Sequence, residues 1–256
     1  VGLPLFLLSN KKFVTYGFDS DESKIEKLKK SVSYISDINN NQLKKISKNN
    51  FYSMQNIYKI RECDFIILCL PTPLKNNKPD MTFIKDATKR IYPYLKKKQT
   101  IILESSVYPG ATEDIFTKQL KKKFLLGRNF FLGYSPERVD PGQSKYYKKM
   151  KYDKIPKLIA GYSEKCLERM LIFYKSIFKN VCPCRTIKIA ETAKIFENTF
   201  RAVNIGLVNE MKIITSKMGI NIHEVIDAAA TKPFGFRKFS PGPGVGGHCI
   251  PIDPIF

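Results

Sequence analysis

The chain belongs by sequence to the α/β class, with a doubly wound parallel sheet followed by a central all-helical domain. Three observations carry this expectation. Short apolar runs alternate with longer segments of helical period as far as Cys184, the signature of strands joined by crossover helices. From Ile189 one uninterrupted helical pattern then runs to about Met218, too long for a crossover. A Gly/Pro-rich segment, Ser240 to Asp253, follows it.

The strands expected in order are Phe13 to Phe18, Phe65 to Leu70, Thr100 to Ser106, Phe130 to Tyr134 and Lys157 to Ala160. Each is short, apolar and bounded by turn residues. Between them, Ser23 to Lys30, Thr82 to Leu95, Thr112 to Lys122 and Ser163 to Phe178 have polar starts and an amphipathic period, so they are expected as helices. Gly219 offers a stop for the long helix. Asn221 with Glu224 has the spacing of a capping box for a second helix ending near Lys232-Pro233. The long helix is apolar nearly all round (Ile195, Phe196, Phe200, Val203, Ile205, Leu207 and Val208), which predicts that it is largely buried.

Composition narrows the function. With 256 residues and 43% hydrophobic content the chain can fill a core and more than one domain. No apolar run reaches the roughly 18 residues of a membrane span, and Val1 to Ser9 lacks the basic flank and cleavage site of a signal peptide. A cytoplasmic location is expected. Six cysteines are scattered through strand and helix patterns, unlike a disulfide scaffold. Cys182-Pro183-Cys184 is too closely spaced for a zinc knuckle and has no second pair downstream, so no metal is expected. The net charge of +21 includes compact runs at Lys96 to Lys98 and Lys121 to Lys123. Lysine, however, accompanies Asn, Ile, Phe and Tyr throughout, as an AT-rich coding sequence produces, with no basic helix or aromatic stacking motif. Neither a specific nucleic acid nor a membrane is expected as a partner.

The residues with chemical promise gather at expected strand ends and in two later segments. Gly2 and Asp19 fit a Rossmann-like dinucleotide site, as the third glycine of the phosphate-binding turn, which lets helix and strand pack closely, and an acid closing the second strand against ribose hydroxyls. Pro71-Thr72 and Glu104-Ser105-Ser106 close the next two strands. On the long helix Lys194 and Asn198 are four apart and share a face, with Arg201 at the next turn. An ammonium and an amide there can stabilise developing negative charge and hold a sugar oxygen or a water. Cys249 stands in Gly246-Gly247-His248-Cys249-Ile250-Pro251-Ile252-Asp253, where glycines let a substrate approach and a cysteine can attack an aldehyde. His248 is read as capping a turn.

Taken together, the chain resembles the UDP-glucose/GDP-mannose dehydrogenase family. The residues that carry the resemblance occur in the right order: Val1-Gly-Leu-Pro4, Gly17-Phe-Asp19, Pro71-Thr-Pro73, Glu104-Ser-Ser106 through Gly110, Ser135-Pro-Glu137-Arg138, Lys194 with Asn198, Asn209-Glu210, and Gly246-Gly-His-Cys249 with Asp253. Within the family, Ser135 to Gly142 and Gly242 to Cys249 resemble the branch acting on UDP-N-acetylglucosamine or UDP-N-acetylmannosamine. Ser106 stands for the usual Thr, Ser240 for a Tyr, and Ala160-Gly161 for a Gly-Gly pair.

The resemblance implies an NAD-dependent, two-step oxidation of a UDP-N-acetylhexosamine C6 alcohol to the uronate in polysaccharide precursor biosynthesis. It implies Cys249 as nucleophile, Lys194 as oxyanion stabiliser and acid/base, and Asn198 as substrate and water contact. Asp253 would orient water, Glu137 would serve as base beside the thioester, and Ser106 would lie near nicotinamide. Gly2, Asp19, Lys24, Pro71, Thr72 and Ser106 are the implied NAD contacts; Glu137, Arg138, Lys194, Asn198, Arg201 and Gly246 the implied substrate contacts. A homodimer through the 189–218 helix is implied. So is a division into an NAD-binding part over residues 1–184 and a helical part over 185–256, with the family's first strand and its UDP-binding domain outside this chain. A single-step 3-hydroxyacid dehydrogenase, and an inactive fragment or degenerate homologue, are the alternatives.

Overall fold

The computed structural model describes residues 1–36, 38–46, 50–138, 152–247 and 250–256. It opens with helix α1 (Gly2–Ser9), then β1 (Gly17–Asp19), α2 (Glu22–Lys29), α3 (Asn40–Leu43) and β2 (Phe51–Ser53). A 3-10 segment (Met54–Glu62) leads into β3 (Phe65–Leu68) and a small hairpin of β4 (Leu74–Lys75) and β5 (Lys78–Pro79). Next come α4 (Thr82–Ile91), β6 (Thr100–Leu103), α5 (Ala111–Leu120), β7 (Phe131–Tyr134), β8 (Lys157–Gly161), α6 (Glu164–Ile177) and β9 (Val181–Pro183). The long helix α7 (Ile187–Lys217) and α8 (Ile222–Ala229) complete the helices. Every expected strand has a counterpart, but the first overlaps its expected span only at Gly17 and Phe18, and α1, α3, β2, the β4-β5 hairpin and β9 were not anticipated.

The main sheet runs β3-β6-β7-β8-β9, and β1 pairs with β2 in a separate two-stranded sheet. Both faces of the main sheet are covered. On β6, Ile101 and Leu103 enter a core with Ile84, Phe116 and Leu120 of α4 and α5, while Ile102 points the other way, toward Met170, Phe173 and Tyr174 of α6. Near-continuous apolar strands are what two-sided burial requires. The two sheets are joined by α1, which is apolar all round and therefore buried. Its Leu3 and Phe6 pack with Ile25, Leu28 and Phe51 on the β1-β2 side, and its Leu5 packs with Ile102 and Ile159 on the main-sheet side.

Three local expectations change. The sheet is not wholly parallel, because β8 runs antiparallel to β7, with Gly133 opposite Gly161 and Tyr134 opposite Ala160. Helix α8 ends at Ala229, short of Lys232. Its Asn221 side chain accepts from the His223 N–H, while Glu224 accepts from the Asn221 amide rather than from backbone, so the capping box is not reciprocal. Finally, α7 is not largely buried. Only its face bearing Ile187, Ala190, Glu191, Lys194 and Asn198, with Thr215 further on, is enclosed; Phe196 is 70% and Leu207 58% exposed. Apolar character all round marks a helix that some apolar surface must cover, and among the described residues only one stripe of α7 has such cover.

The reversal at β8 requires a tight corner. Gly161 ends the strand, and a Cβ there would overlap the backbone of Cys166 and Leu167 at the start of α6. Backbone cannot yield as a flexible side chain can. Gly161→Ala is therefore expected to push α6 off the sheet and lower stability by about 1–3 kcal/mol, read as a reduced urea midpoint at unchanged slope; an unshifted midpoint would show that the corner has slack.

Candidate active site

The carboxyl ends of the strands form one edge, where ligands of doubly wound sheets bind. Asp19 closes β1, and its carboxylate accepts the Asp21 N–H at 2.9 Å. Lys24 on α2 lies 3.9 Å from Asp19 and 3.6 Å from Asp21. Gly2 opens α1 beside Cys69 at the end of β3; a Cβ there would meet the Cys69 Cβ at 3.6 Å, an ordinary contact, so the described neighbours do not themselves demand glycine. Pro71 is exposed and Thr72 half-buried just beyond. The Ser105 hydroxyl donates to the Leu70 carbonyl and accepts the Leu70 N–H, at 2.8 and 3.0 Å, tying the ends of β3 and β6 together. This edge offers an acid for ribose hydroxyls, a helix N-terminus and a hydroxyl at Ser106, a set that suits a dinucleotide.

Helix α7 crosses this edge and is pinned there by Glu191. Its buried carboxylate accepts the backbone N–H groups of Gly110 (2.5 Å) and Thr112 (2.9 Å) at the start of α5. These are donors that a helix N-terminus leaves without intrahelical partners. Burial raises the Glu191 pKa above the usual carboxylate value, although the bonds from Thr112 and Gly110 oppose it. One and two turns along the same stripe come Lys194 and Asn198. Asn198 donates to the Asp253 carboxylate at 2.5 Å, and the Ser106 hydroxyl donates to the same oxygen at 3.3 Å. Three side chains far apart in sequence thus meet at one carboxylate. Lys194 is 9% exposed and makes no hydrogen bond or ion pair with another described residue. Arg138 forms an ion pair with Glu197 on α7 (2.5 Å) and donates to the Pro156 carbonyl. Arg201 lies on the next turn, half-buried.

A second cluster lies beneath the edge. Lys157, the first residue of β8, places its ammonium 2.9 Å from Glu104 at the end of β6 and 3.7 Å from Glu137. It also donates to the Pro136 carbonyl at 3.4 Å. The Tyr174 hydroxyl donates to Glu104, the Tyr152 hydroxyl donates to Glu137 at 2.7 Å, and the Arg138 N–H donates to the other Glu137 oxygen at 2.8 Å. Burial raises the Glu104 pKa against the pull of Lys157. Burial would lower that of Lys157, but Glu104 and Glu137 outweigh it and the net shift is upward.

The structure therefore brings Ser106, Asn198 and Asp253 together and sets Glu137 and Arg138 among other charges. Gly246 has φ +67°, a left-handed conformation that favours glycine, in the exposed loop leading to Cys249. Cys249 and His248 lie outside the described residues. Glu191 and Lys157 went unnoticed in sequence. The signal for Glu191 was its place three and seven residues before Lys194 and Asn198; for Lys157 it was a cation opening an otherwise apolar strand.

Residues 1–178 match the model of the UDP-glucose/GDP-mannose dehydrogenase family, NAD binding domain, and residues 188–256 match that family's central domain. A Staphylococcus aureus protein named CapL is 38% identical over the whole of this chain and 59% of its own length. A UDP-N-acetyl-D-glucosamine 6-dehydrogenase from Pseudomonas aeruginosa is 37% identical over the whole chain and 60% of its own. The solved structure of a UDP-N-acetylmannosamine dehydrogenase from Pyrococcus horikoshii superposes with a TM-score of 0.89 at 29% identity, covering all of this chain and 61% of that one. The chain spans about three fifths of the length of the curated relatives it matches.

Glu191→Ala should remove two charge-assisted bonds at the α5–α7 junction and cost about 2 kcal/mol or more, measured by urea unfolding; an unchanged midpoint would show that α7 is held by other means. Lys157 also predicts a pH dependence. Its folded pKa lies above the unfolded value of 10.5, so its stabilisation is fully present below that pH and lost as pH rises through the folded value. Stability should fall more steeply above that point in the parent protein than in Lys157→Met, and identical slopes would contradict the cluster.

Proposed function

Because the chain belongs to the UDP-glucose/GDP-mannose dehydrogenase family, we propose that it is the NAD-binding and central part of a nucleotide-sugar 6-dehydrogenase. Its substrate is a UDP-N-acetylhexosamine, its product the corresponding uronate for polysaccharide precursors, and its location the cytoplasm. Among the described residues no helix is long and apolar enough to cross a membrane. The names of relatives at 37, 36 and 33% identity, two UDP-N-acetyl-D-glucosamine 6-dehydrogenases and a UDP-N-acetyl-D-mannosamine dehydrogenase, favour the acetylated sugars. What carries the proposal is the meeting of Ser106, Asn198 and Asp253 at one buried carboxylate, with the buried ammonium of Lys194 one turn away.

Asp19, Thr72 and Ser106 at the strand ends would hold NAD, which would supply the hydride acceptor for each of two oxidations. Lys194 holds the sugar oxygen as negative charge develops and exchanges its proton. The Cys249 sulfur bonds to the aldehyde carbon, and its proton passes to the aldehyde oxygen, giving a thiohemiacetal; loss of hydride and of the hydroxyl proton leaves a thioester. Asn198 and Asp253 orient water against the thioester carbon. Glu137 takes the water proton, the carbon–sulfur bond breaks, and the sulfur leaves as a thiolate that is reprotonated. One alcohol, one water and two NAD⁺ become one uronate, two NADH and three protons.

The uncovered face of α7 supports a homodimer. Phe196, Val203, Leu207, Ile214 and Met218 are exposed at helical spacing along it, a larger continuous apolar surface than a monomer ordinarily leaves in water.

With a UDP-N-acetylhexosamine, the native protein should form two NADH per uronate, and Cys249→Ser should make no uronate. One NADH per sugar, or normal uronate from the variant, would overturn the scheme. Leu207→Asp should halve the mass found by sedimentation equilibrium at micromolar concentration, whereas an unaltered dimer would place the contact elsewhere.

A further inference from the structure

The buried cluster under the strand ends includes the residue assigned to thioester hydrolysis, and its cation does more than balance one acid. Glu104 is fully enclosed and already accepts from Tyr174; a counter-charge for it alone could sit anywhere along its carboxylate. Lys157 instead lies between two carboxylates, 2.9 Å from Glu104 and 3.7 Å from Glu137, and also donates to the carbonyl of Pro136, the residue before Glu137. Its ammonium thus holds both the side chain of Glu137 and the backbone that carries it. The antiparallel course of β8 is responsible, since it delivers the strand's first residue, not its last, to the carboxyl edge.

We propose that Lys157 is a positioning residue for Glu137, gripping it from below while Tyr152 holds it from the side, so that its carboxylate stays aimed at the water that attacks the thioester. This rests on the role given to Glu137 in the proposed function. In that step the water oxygen bonds to the thioester carbon, its proton goes to Glu137, and the carbon–sulfur electron pair returns to Cys249. Misplacing the base by about 1 Å is enough to slow such a step severely. Among the described residues, the charged and titratable groups facing Glu137 include Lys157 from β8, Glu104 from β6, Tyr152, Arg138 beside it in the chain, and Cys69 beyond the end of β3.

The test compares the native protein, Lys157→Met and the double variant Lys157→Met/Glu104→Gln, which removes both members of the buried pair. Each is given a UDP-N-acetylhexosamine and NAD, with NADH followed by absorbance, uronate by chromatography, and the acid-quenched protein by intact mass. For Lys157→Met the expected result is a retained initial burst of NADH, uronate release slowed at least about tenfold, and a sugar adduct accumulating on the protein. In the double variant, stability should recover toward the parent while uronate release stays slow. Recovery of both would make Lys157 a structural counter-charge for Glu104 and overturn the inference. Lys157→Met releasing uronate at the parent rate would overturn it as well, leaving the dehydrogenase proposal standing. A native protein that reduces no NAD with any UDP-sugar would sink the dehydrogenase proposal itself, and this inference with it.

Discussion

Glu191 donates nothing and touches no reacting group in the proposed scheme, yet the positions of the groups that do depend on it. Its carboxylate ties α7 to the first N–H groups of α5, and the helix then extends without interruption to Lys217. A rigid helix pinned at one turn presents its next turns in a fixed direction. Lys194 and Asn198 therefore face the strand edge, and Asn198 meets Asp253 there. Among the described residues, the opposite face of α7 has no cover.

Two buried ammonium groups lie near this edge in opposite circumstances. Lys157 is surrounded by carboxylates and carbonyl oxygen, as a charge withdrawn from water must be if it is not to destabilise the fold. Lys194 has no such company among the described residues. A cation kept poorly paired is costly at rest and is most stabilising when negative charge appears beside it, which accords with the part proposed for Lys194. In the proposed scheme the contrast separates a group that organises the site from one that acts in it.

The sheet depends on a different constraint. Its two parts are held by α1, a short helix with apolar residues on every side, and its far end turns back at β8 through a glycine corner that admits no side chain. The first packs against the core on the β1-β2 side and against the core of the main sheet. The second seats α6 against the sheet, while the antiparallel course of β8 brings Lys157 to Glu104 and Glu137.

Much of this was legible in one dimension. Periodicity located β3, β6, β7 and β8 and helices α2, α4, α5 and α6, because alternating apolar runs and polar helix starts are local signals. Lys194, Asn198 and Asp253 stood out because helix spacing and a Gly/Pro loop are local too. Three features were decided only by the tertiary structure: the reversed strand, the burial of α7 along one stripe, and the partnerships of Glu191 and Lys157. A strand's direction relative to its neighbour leaves no mark on its own residues, since either direction presents the same alternation of side chains. The partners of a buried charge are chosen by whatever the chain folds against it; Glu191 meets residues about eighty positions away and Lys157 meets Glu104 fifty-three away. The sequence by itself determined which segments would be strands and helices and which side chains could do chemistry; folding decided which of them meet, because pairing between distant charges is a property of the assembled core.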